Sequence, residues 1–289
     1  MGSSWVGRRL AVAIPVSLIS DTPHLREKTG KLGSIARACS IFGVNRIILY
    51  ADDPRRNQEA DFELCTDVLR FIETPQYLRK GMFRLSENLQ YAGILPPLQT
   101  PPHDVPHSLP ESKVGDLRDG LIIGRRGNSL LVDVGLGKAF ECSGNLPVGR
   151  RVTVRVTDLG KNPVGEIRAD SKEGRDYWGY DVTRANQSLS KFIEETKFDL
   201  VIGTSRYGSN LADVWSDLTS SLRSAECSLV VFGSPKLGLR DILKQENKAP
   251  ENVFDYFVNT AANQNVSTIR TEEAILISLG ILNLATSIY

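Results

Sequence analysis

The chain lacks the short signatures that make a chemistry obvious. It has no G-x-x-x-x-G-K-[ST] run and no G-x-G-x-x-G after a strand. The backbone cradles that hold nucleotide phosphates are therefore missing. Gly203 and Gly208 supply only the outer glycines of the second pattern. A cofactor without a pyrophosphate is favoured over NAD or ATP. Histidine is scarce, with three residues, and the four cysteines Cys39, Cys65, Cys142 and Cys227 form no C-x-x-C. No metal site is expected, and the thiols read as reduced and mostly buried. No apolar run approaches the ~20 residues that span a bilayer. Residues Met1 to Arg9 lack the apolar core of a signal peptide. A soluble, cytoplasmic protein without membrane partners is expected. Charge of one sign is also lacking: the net charge is +1. An RNA partner would have to be met by clustered rather than numerous basic residues.

What is present is an α/β texture interrupted in the middle. Arg9 to Ser17 is a short apolar run, read as a buried strand. Lys28 to Phe42 carries apolar residues at helical spacing and Gly43 stops it. Arg46–Tyr50 is the next strand, Asn57 to Ile72 the next helix, and Thr74-Pro75 opens a third. Strand-helix-strand order of this kind builds parallel, helix-covered sheets. Residues 93–107 then hold five prolines, too many for a helix or a central strand. Close-spaced β-like runs with glycine turns follow, starting at Gly120, Ser129, Lys138 and Arg151. About five short strands in ~75 residues point to a small OB-like barrel. From Asp181 the α/β texture returns, with strands at 199–204, 228–233 and 253–259. A last helix runs from Arg270 to Ile288, with Ile275, Leu279, Leu282 and Ile288 on one side. The economical reading is one discontinuous α/β domain, 1–92 with 171–289, and an inserted barrel, 93–170.

Three strand ends in the last part turn into small or polar residues: 202–210, 231–239 and 258–274. Ligands of open α/β sheets sit at the carboxyl ends of strands, and small residues there bring a ligand against the backbone. Each segment could also be an ordinary βα turn. The third is long, polar and free of proline. It enters a helix whose first turn holds Thr271, Glu272 and Glu273, residues that complement a helix dipole.

The run from Asn265 to Leu284, with its T-I-R-T-E-E-A-I core, and Val231–Leu239 before it, resembles the knotted SPOUT methyltransferases. The subfamily is the one with an inserted OB-like domain, the rRNA uridine methyltransferases. Residues 35–44, 93–101, 177–185 and 202–209 resemble the same subfamily, so the likeness runs over nearly the whole chain. It implies a trefoil-knotted, mostly parallel Rossmann-like α/β sheet with helices on both faces, plus the small OB-like barrel. It further implies a homodimer and an S-adenosyl-L-methionine site in the knot. By matching position, cofactor contact is carried over to Thr204, Arg206, Gly233, Ser234, Asn259, Thr260 and Ile269. One departure stands out: Tyr207 separates Arg206 from Gly208, where the family places arginine directly before glycine.

Methylation of a uridine N3 requires the imide proton to leave and negative charge on the base to be stabilised. Arg26 and Arg37 from the first βα unit, and Arg270 beside the third segment, are the candidate cations. Glu272 or Glu273 is the candidate base. RNA contact is expected on the barrel, where Arg118, Arg125, Arg126, Lys138, Arg150, Arg151, Arg155, Lys161 and Arg168 cluster. With Phe140 the single aromatic there, phosphate contact is expected rather than base stacking. A catalytically silent RNA-binding or ribosome-assembly factor is the alternative reading. A nucleotide-dependent α/β enzyme is disfavoured by the missing phosphate loop.

Overall fold

A computed structural model describes residues 9–106, 108–168 and 177–287. The first part holds β1 (Arg9–Pro15), α1 (Leu25–Ile41), β2 (Arg46–Tyr50), α2 (Glu59–Glu73) and α3 (Gln76–Met82). The middle holds β3 (Leu117–Arg126), β4 (Ser129–Asp133), β5 (Ala139–Ser143), β6 (Arg151–Asp158) and β7 (Val164–Arg168). The last part holds β8 (Asp181–Arg184), α4 (Leu189–Thr196), β9 (Leu200–Asn210), α5 (Leu211–Ser224), β10 (Cys227–Val231), α6 (Leu239–Gln245), β11 (Tyr256–Asn259) and α7 (Thr271–Ser287).

Six strands form one sheet in the order β11-β9-β10-β1-β2-β8, and every pairing in it is parallel. β1 shows why. Its residues alternate between two cores: Leu10, Val12 and Ile14 join one cluster, Ala11 and Ala13 the other. A strand buried on both faces needs helices on both sides, which parallel crossovers supply. α1, α2, α5 and α7 cover the larger-residue face, through side chains such as Leu32, Leu69, Leu222 and Leu279. α4 and α6 cover the alanine face through Ile193 and Leu243. The chain leaves β1 for β2 on one side and returns to β10 on the other, so the strand order switches direction at β1/β10. Ligand crevices of open α/β sheets form at such a point.

The middle part is a separate closed barrel, β3-β4-β5-β7-β6, in which only β5 and β7 pair in parallel. Ile122, Leu130, Val132, Phe140 and Val154 fill it. Phe140 lies inside, so none of its ring is available to a base. The proline-rich segment before the barrel runs against α1 as a strap. Arg37 donates to the carbonyls of Pro97 and Leu98 at 3.2 and 2.7 Å. Gly33 leaves the room the strap occupies, since a Cβ there would come within 2.9 Å of Pro96.

A buried polar junction joins barrel and sheet. Arg151 of β6 reaches Glu73 at the end of α2 and Asp119 of β3. Asp119 also accepts from Thr153 Oγ1 at 2.9 Å and Trp178 Nε1 at 3.0 Å. Burial alone would lower the Arg151 guanidinium, but the two carboxylates hold it above its ordinary value. Arg118 is fully buried and donates to Val134 and Pro106 carbonyls. These two arginines are therefore structural, which corrects their reading as RNA contacts. Both carry charge and both lie within strands, but both donate inside the fold.

Three further differences from the sequence reading have physical causes. α1 starts at Leu25 rather than Lys28, directly after Pro23 and His24. β8 is a strand of four residues whose pairing with β2 completes the sheet edge; its run D-V-T-R is too short and polar to read alone. β9 continues to Asn210, through residues read as a loop. Ile288 and the expected boundary at 170/171 lie outside the described residues.

Candidate active site

The β9–β11 pairing makes the first wall of the site. Phe257 pairs with Gly203 and Val258 with Ser209, so Thr204–Gly208 are an excursion of β9 without partners on β11. Two glycines permit it. At Gly203 a Cβ would stand 2.5 Å from the Phe254 ring, and at Gly208 it would stand 2.6 Å from the Val258 backbone. The second wall is the turn after β10, where Ser234 N–H donates to the Leu237 carbonyl at 2.9 Å. The third is the segment between β11 and α7.

Thr204, Arg206, Gly233, Ser234, Asn259, Thr260 and Ile269 all line one cavity between these walls. Its volume is about 270 Å3, near the lower edge of the roughly 300–1,000 Å3 of small-molecule sites. Side chains tie the walls together. Thr204 Oγ1 donates to Val231 O at 2.9 Å, and Thr271 Oγ1 donates to Gly233 O at 3.2 Å. Asn259 Nδ2 donates to Arg206 O at 3.1 Å, and Thr260 shares a 2.8 Å hydrogen bond with Ser278. With these hydroxyls and amides committed to each other, the groups left for a ligand are largely backbone. Arg206 donates to the Ser267 carbonyl at 2.8 Å and to the Tyr207 hydroxyl, and stacks on the Tyr207 ring at 4.6 Å. It clasps the third wall against the first. The sequence departure at Tyr207 thus gives Arg206 a ring to lie on.

The four candidate catalytic residues are distributed differently. None of them lines this cavity. Arg26 lines a separate recess with His24 and Tyr91. Arg37 is held by the proline strap. Arg270 and Glu272 line a polar recess together with Asp21 and Lys31. It adjoins the cavity through Thr271, which lines the latter. Glu273 accepts from Arg270 N–H at 3.0 Å and so caps α7. Lys31 was missed by sequence reading. It is 7% exposed, with its ammonium 2.8 Å from Asp21 and 3.3 Å from Glu272. Burial alone would raise the Asp21 carboxyl, but the Lys31 hydrogen bond holds it below its ordinary value.

Among the described residues no three metal-ligating side chains come together. No helix there is long and apolar enough to cross a membrane. Cys39 and Cys65 are buried and burial pushes both thiols up; Cys142 is pushed up to about 11. Nucleophilic chemistry at these sulfurs is disfavoured. On the barrel, Arg125, Arg126, Lys138, Arg150, Lys161 and Arg168 are exposed and Arg155 is half-buried.

Fold and cavity together define an α/β protein with a small-molecule site at the carboxyl edge of a parallel sheet, coupled to a β-barrel. The sequence model of a family described as "Putative RNA methyltransferase" matches residues 9–282. A mouse protein named 28S rRNA (uridine-N(3))-methyltransferase is 33% identical, over 94% of this chain and 75% of its own length. The human protein of that name is 34% identical, over 94% of this chain and 77% of its length. An uncharacterized protein of the archaeon Haloarcula marismortui is 33% identical over 95% of this chain and 98% of its length. The chain belongs to this RNA methyltransferase family and is an enzyme.

Proposed function

We propose that the protein uses S-adenosyl-L-methionine to methylate N3 of a uridine in large-subunit rRNA. The observation that carries the cofactor is the convergence of all seven carried-over positions on one cavity. The lining suits that group. It has no phosphate-binding loop, and its charged side chains are Arg206, Lys236 and Asp241, both signs that a zwitterionic amino-acid end requires. Bound there, S-adenosylmethionine supplies an electrophilic methyl on a sulfonium. The chain's part is to hold the walls, exclude water and orient the base. Gly233 keeps the second wall open to it, since a Cβ there would already press on Leu237 O and Leu239 N at 3.1 Å. The named mouse and human relatives supply the choice of rRNA and uridine N3.

The finer fold follows from the same reading. The protein is of the SPOUT class, with a trefoil knot in the chain that forms the three walls. Residues 1–92 and 171–289 are its methyltransferase domain and 93–170 an OB-like insert. Five strands closing in the order first-second-third-fifth-fourth support the OB assignment. The exposed arginines and lysines of that barrel track phosphates, and the target base leaves its stack to reach the α/β domain. The protein works as a cytoplasmic homodimer. Leu276, Ile277 and Leu284 are exposed on α7, and Ile277 lines the cavity. A second copy of the chain covering that stripe would bury it and wall the cavity.

The test is calorimetric titration with S-adenosylhomocysteine, alongside Gly233→Trp. Binding of about one molecule per chain, abolished in the folded variant, is the expected result. No binding to the wild-type protein, with or without rRNA, would refute the enzyme reading and favour a silent RNA-binding factor.

A further inference from the structure

The polar recess beside the cavity has an unbalanced set of charges. It lies where the end of the β1 connection, α1 and the first turn of α7 meet, and Asp21, Glu27, Lys31, Ser34, Arg270 and Glu272 line it. Lysine is rarely buried unless paired, and Lys31 is paired twice. Its ammonium donates to both oxygens of Asp21, at 2.8 and 2.9 Å. It faces Glu272 Oε2 at 3.3 Å on the other side. Asp21 is fully served by these bonds and by Thr22 Oγ1 at 2.9 Å. Glu272 is not. Its Oε2 is buried and accepts no hydrogen bond. Lys31 offers this oxygen charge at 3.3 Å but no hydrogen bond, and the side chain keeps 16% of its surface exposed, so the oxygen retains acceptor capacity. The neighbouring carboxylate Glu273 shows what a purely capping role looks like: it takes a backbone N–H at 3.0 Å. Glu272, one residue before it on the same turn, instead lines the recess and leaves its Oε2 without a hydrogen bond.

Resting on the reading above, we propose that this recess receives the target uracil, with Glu272 as acceptor of the imide proton and Lys31, braced by Asp21, as the residue that positions it. In the step the N3 proton passes to a Glu272 oxygen and the N3 electron pair forms the bond to the methyl carbon. The carbon–sulfur pair returns to sulfur. A sulfonium, a carboxylate and a neutral imide become a thioether, a carboxylic acid and an N-methyl imide, so charge and atoms balance. Lys31 acts through Glu272 rather than on the reacting atoms. It fixes the rotamer of Glu272 and keeps that carboxylate in place while its donors arrive with the substrate.

The experiment measures methyl transfer from labelled S-adenosylmethionine to an in vitro transcribed large-subunit rRNA, with N3-methyluridine read by nucleoside mass spectrometry. Glu272→Gln and Lys31→Met are expected to lower kcat by about 100-fold or more, the usual reach of general acid–base catalysis. The S-adenosylhomocysteine affinity should stay within about three-fold, because neither residue lines the cofactor cavity. Lys31→Arg, which keeps a cation between the two carboxylates, should regain at least about ten-fold of the loss. Transfer by the wild-type protein with Lys31→Met unchanged would overturn this proposal alone. So would a kcat loss in Lys31→Met that Lys31→Arg does not relieve, or one accompanied by equal loss of S-adenosylhomocysteine binding. Wild-type protein that binds S-adenosylhomocysteine but methylates no uridine would overturn the parent reading and this one with it.

Discussion

Replacing Arg151 by methionine tests the junction between barrel and sheet. The substitution keeps the apolar stem and removes the guanidinium. It strips Glu73 of hydrogen bonds at 2.5 and 3.2 Å. Asp119 loses its two contacts with the guanidinium but keeps Thr153 and Trp178. The carboxylate side chains are 5% and 2% exposed, so water cannot replace what is lost without opening the interface. Removing one partner of a buried ion pair is worth about 3–5 kcal/mol. At about 2–4 °C per kcal/mol, the melting temperature should fall by roughly 6–20 °C. Because the network is buried, the drop should persist at about 1 M salt, where surface pairs are screened. A triple variant, Arg151→Met with Glu73→Gln and Asp119→Asn, removes all three charges. It should recover much of the loss, since the deficit comes from stranded charge rather than from a missing attraction. Differential scanning calorimetry reads all three proteins. A fall of less than about 3 °C for the single variant, or a triple variant no better than the single, would refute the reasoning.

Three further outcomes follow from the geometry. Gly208→Ala should loosen the β9–β11 pairing by about 1–3 kcal/mol and lower S-adenosylhomocysteine affinity, because the new methyl meets Val258 backbone at 2.6 Å; Gly124→Ala, whose nearest neighbour is 4.0 Å away, is the neutral control in urea melts. His103 sits between Thr100 Oγ1 at 2.7 Å and the Ile72 carbonyl at 3.3 Å. Burial lowers its imidazole below the ordinary 6.5, against the opposing pull of Glu73, so its neutral form is the folded one. That contribution is present above about pH 6.5 and is lost as pH falls through the depressed folded value. The melting temperature should therefore fall more steeply over that range in wild type than in His103→Gln, and equal slopes would contradict it. If the proposed homodimer forms through the exposed α7 stripe, wild type should sediment as a dimer and Leu284→Glu as a monomer; a wild-type monomer would refute it.

The parts of the fold that could be read directly were those in which each residue's own chemistry decides its place. β1 and β2 are apolar over nearly their whole length, so a doubly covered position is the favourable one wherever they pair. The five prolines of 93–107 rule out a regular α-helix or a central strand by covalent geometry. The glycines around Gly127, Gly135 and Gly144 have positive φ and punctuate the barrel strands as turn chemistry demands. The cavity residues were reachable because they lie at or after the carboxyl ends of three successive strands and because the chain resembles a known family there.

Charge was the least legible property. Arg118, Arg151 and Lys31 look like surface residues in a string of letters, yet each is internal or nearly so. Their partners lie on other segments, from ten residues away to more than two hundred: Asp119 and Glu73 for Arg151, Pro106 and Val134 for Arg118, Asp21 and Glu272 for Lys31. Likewise Thr204–Gly208 are polar enough to pass for a turn, and only the pairing of Val258 with Ser209 beyond them makes β9 one long strand. Local propensity and hydrophobic pattern set which segments are helix, strand or strap, because those energies act between near neighbours. Which buried cation meets which carboxylate, and which loops meet to enclose a cavity, was decided only by tertiary structure, because those energies exist only once distant segments are brought within a few ångströms of each other.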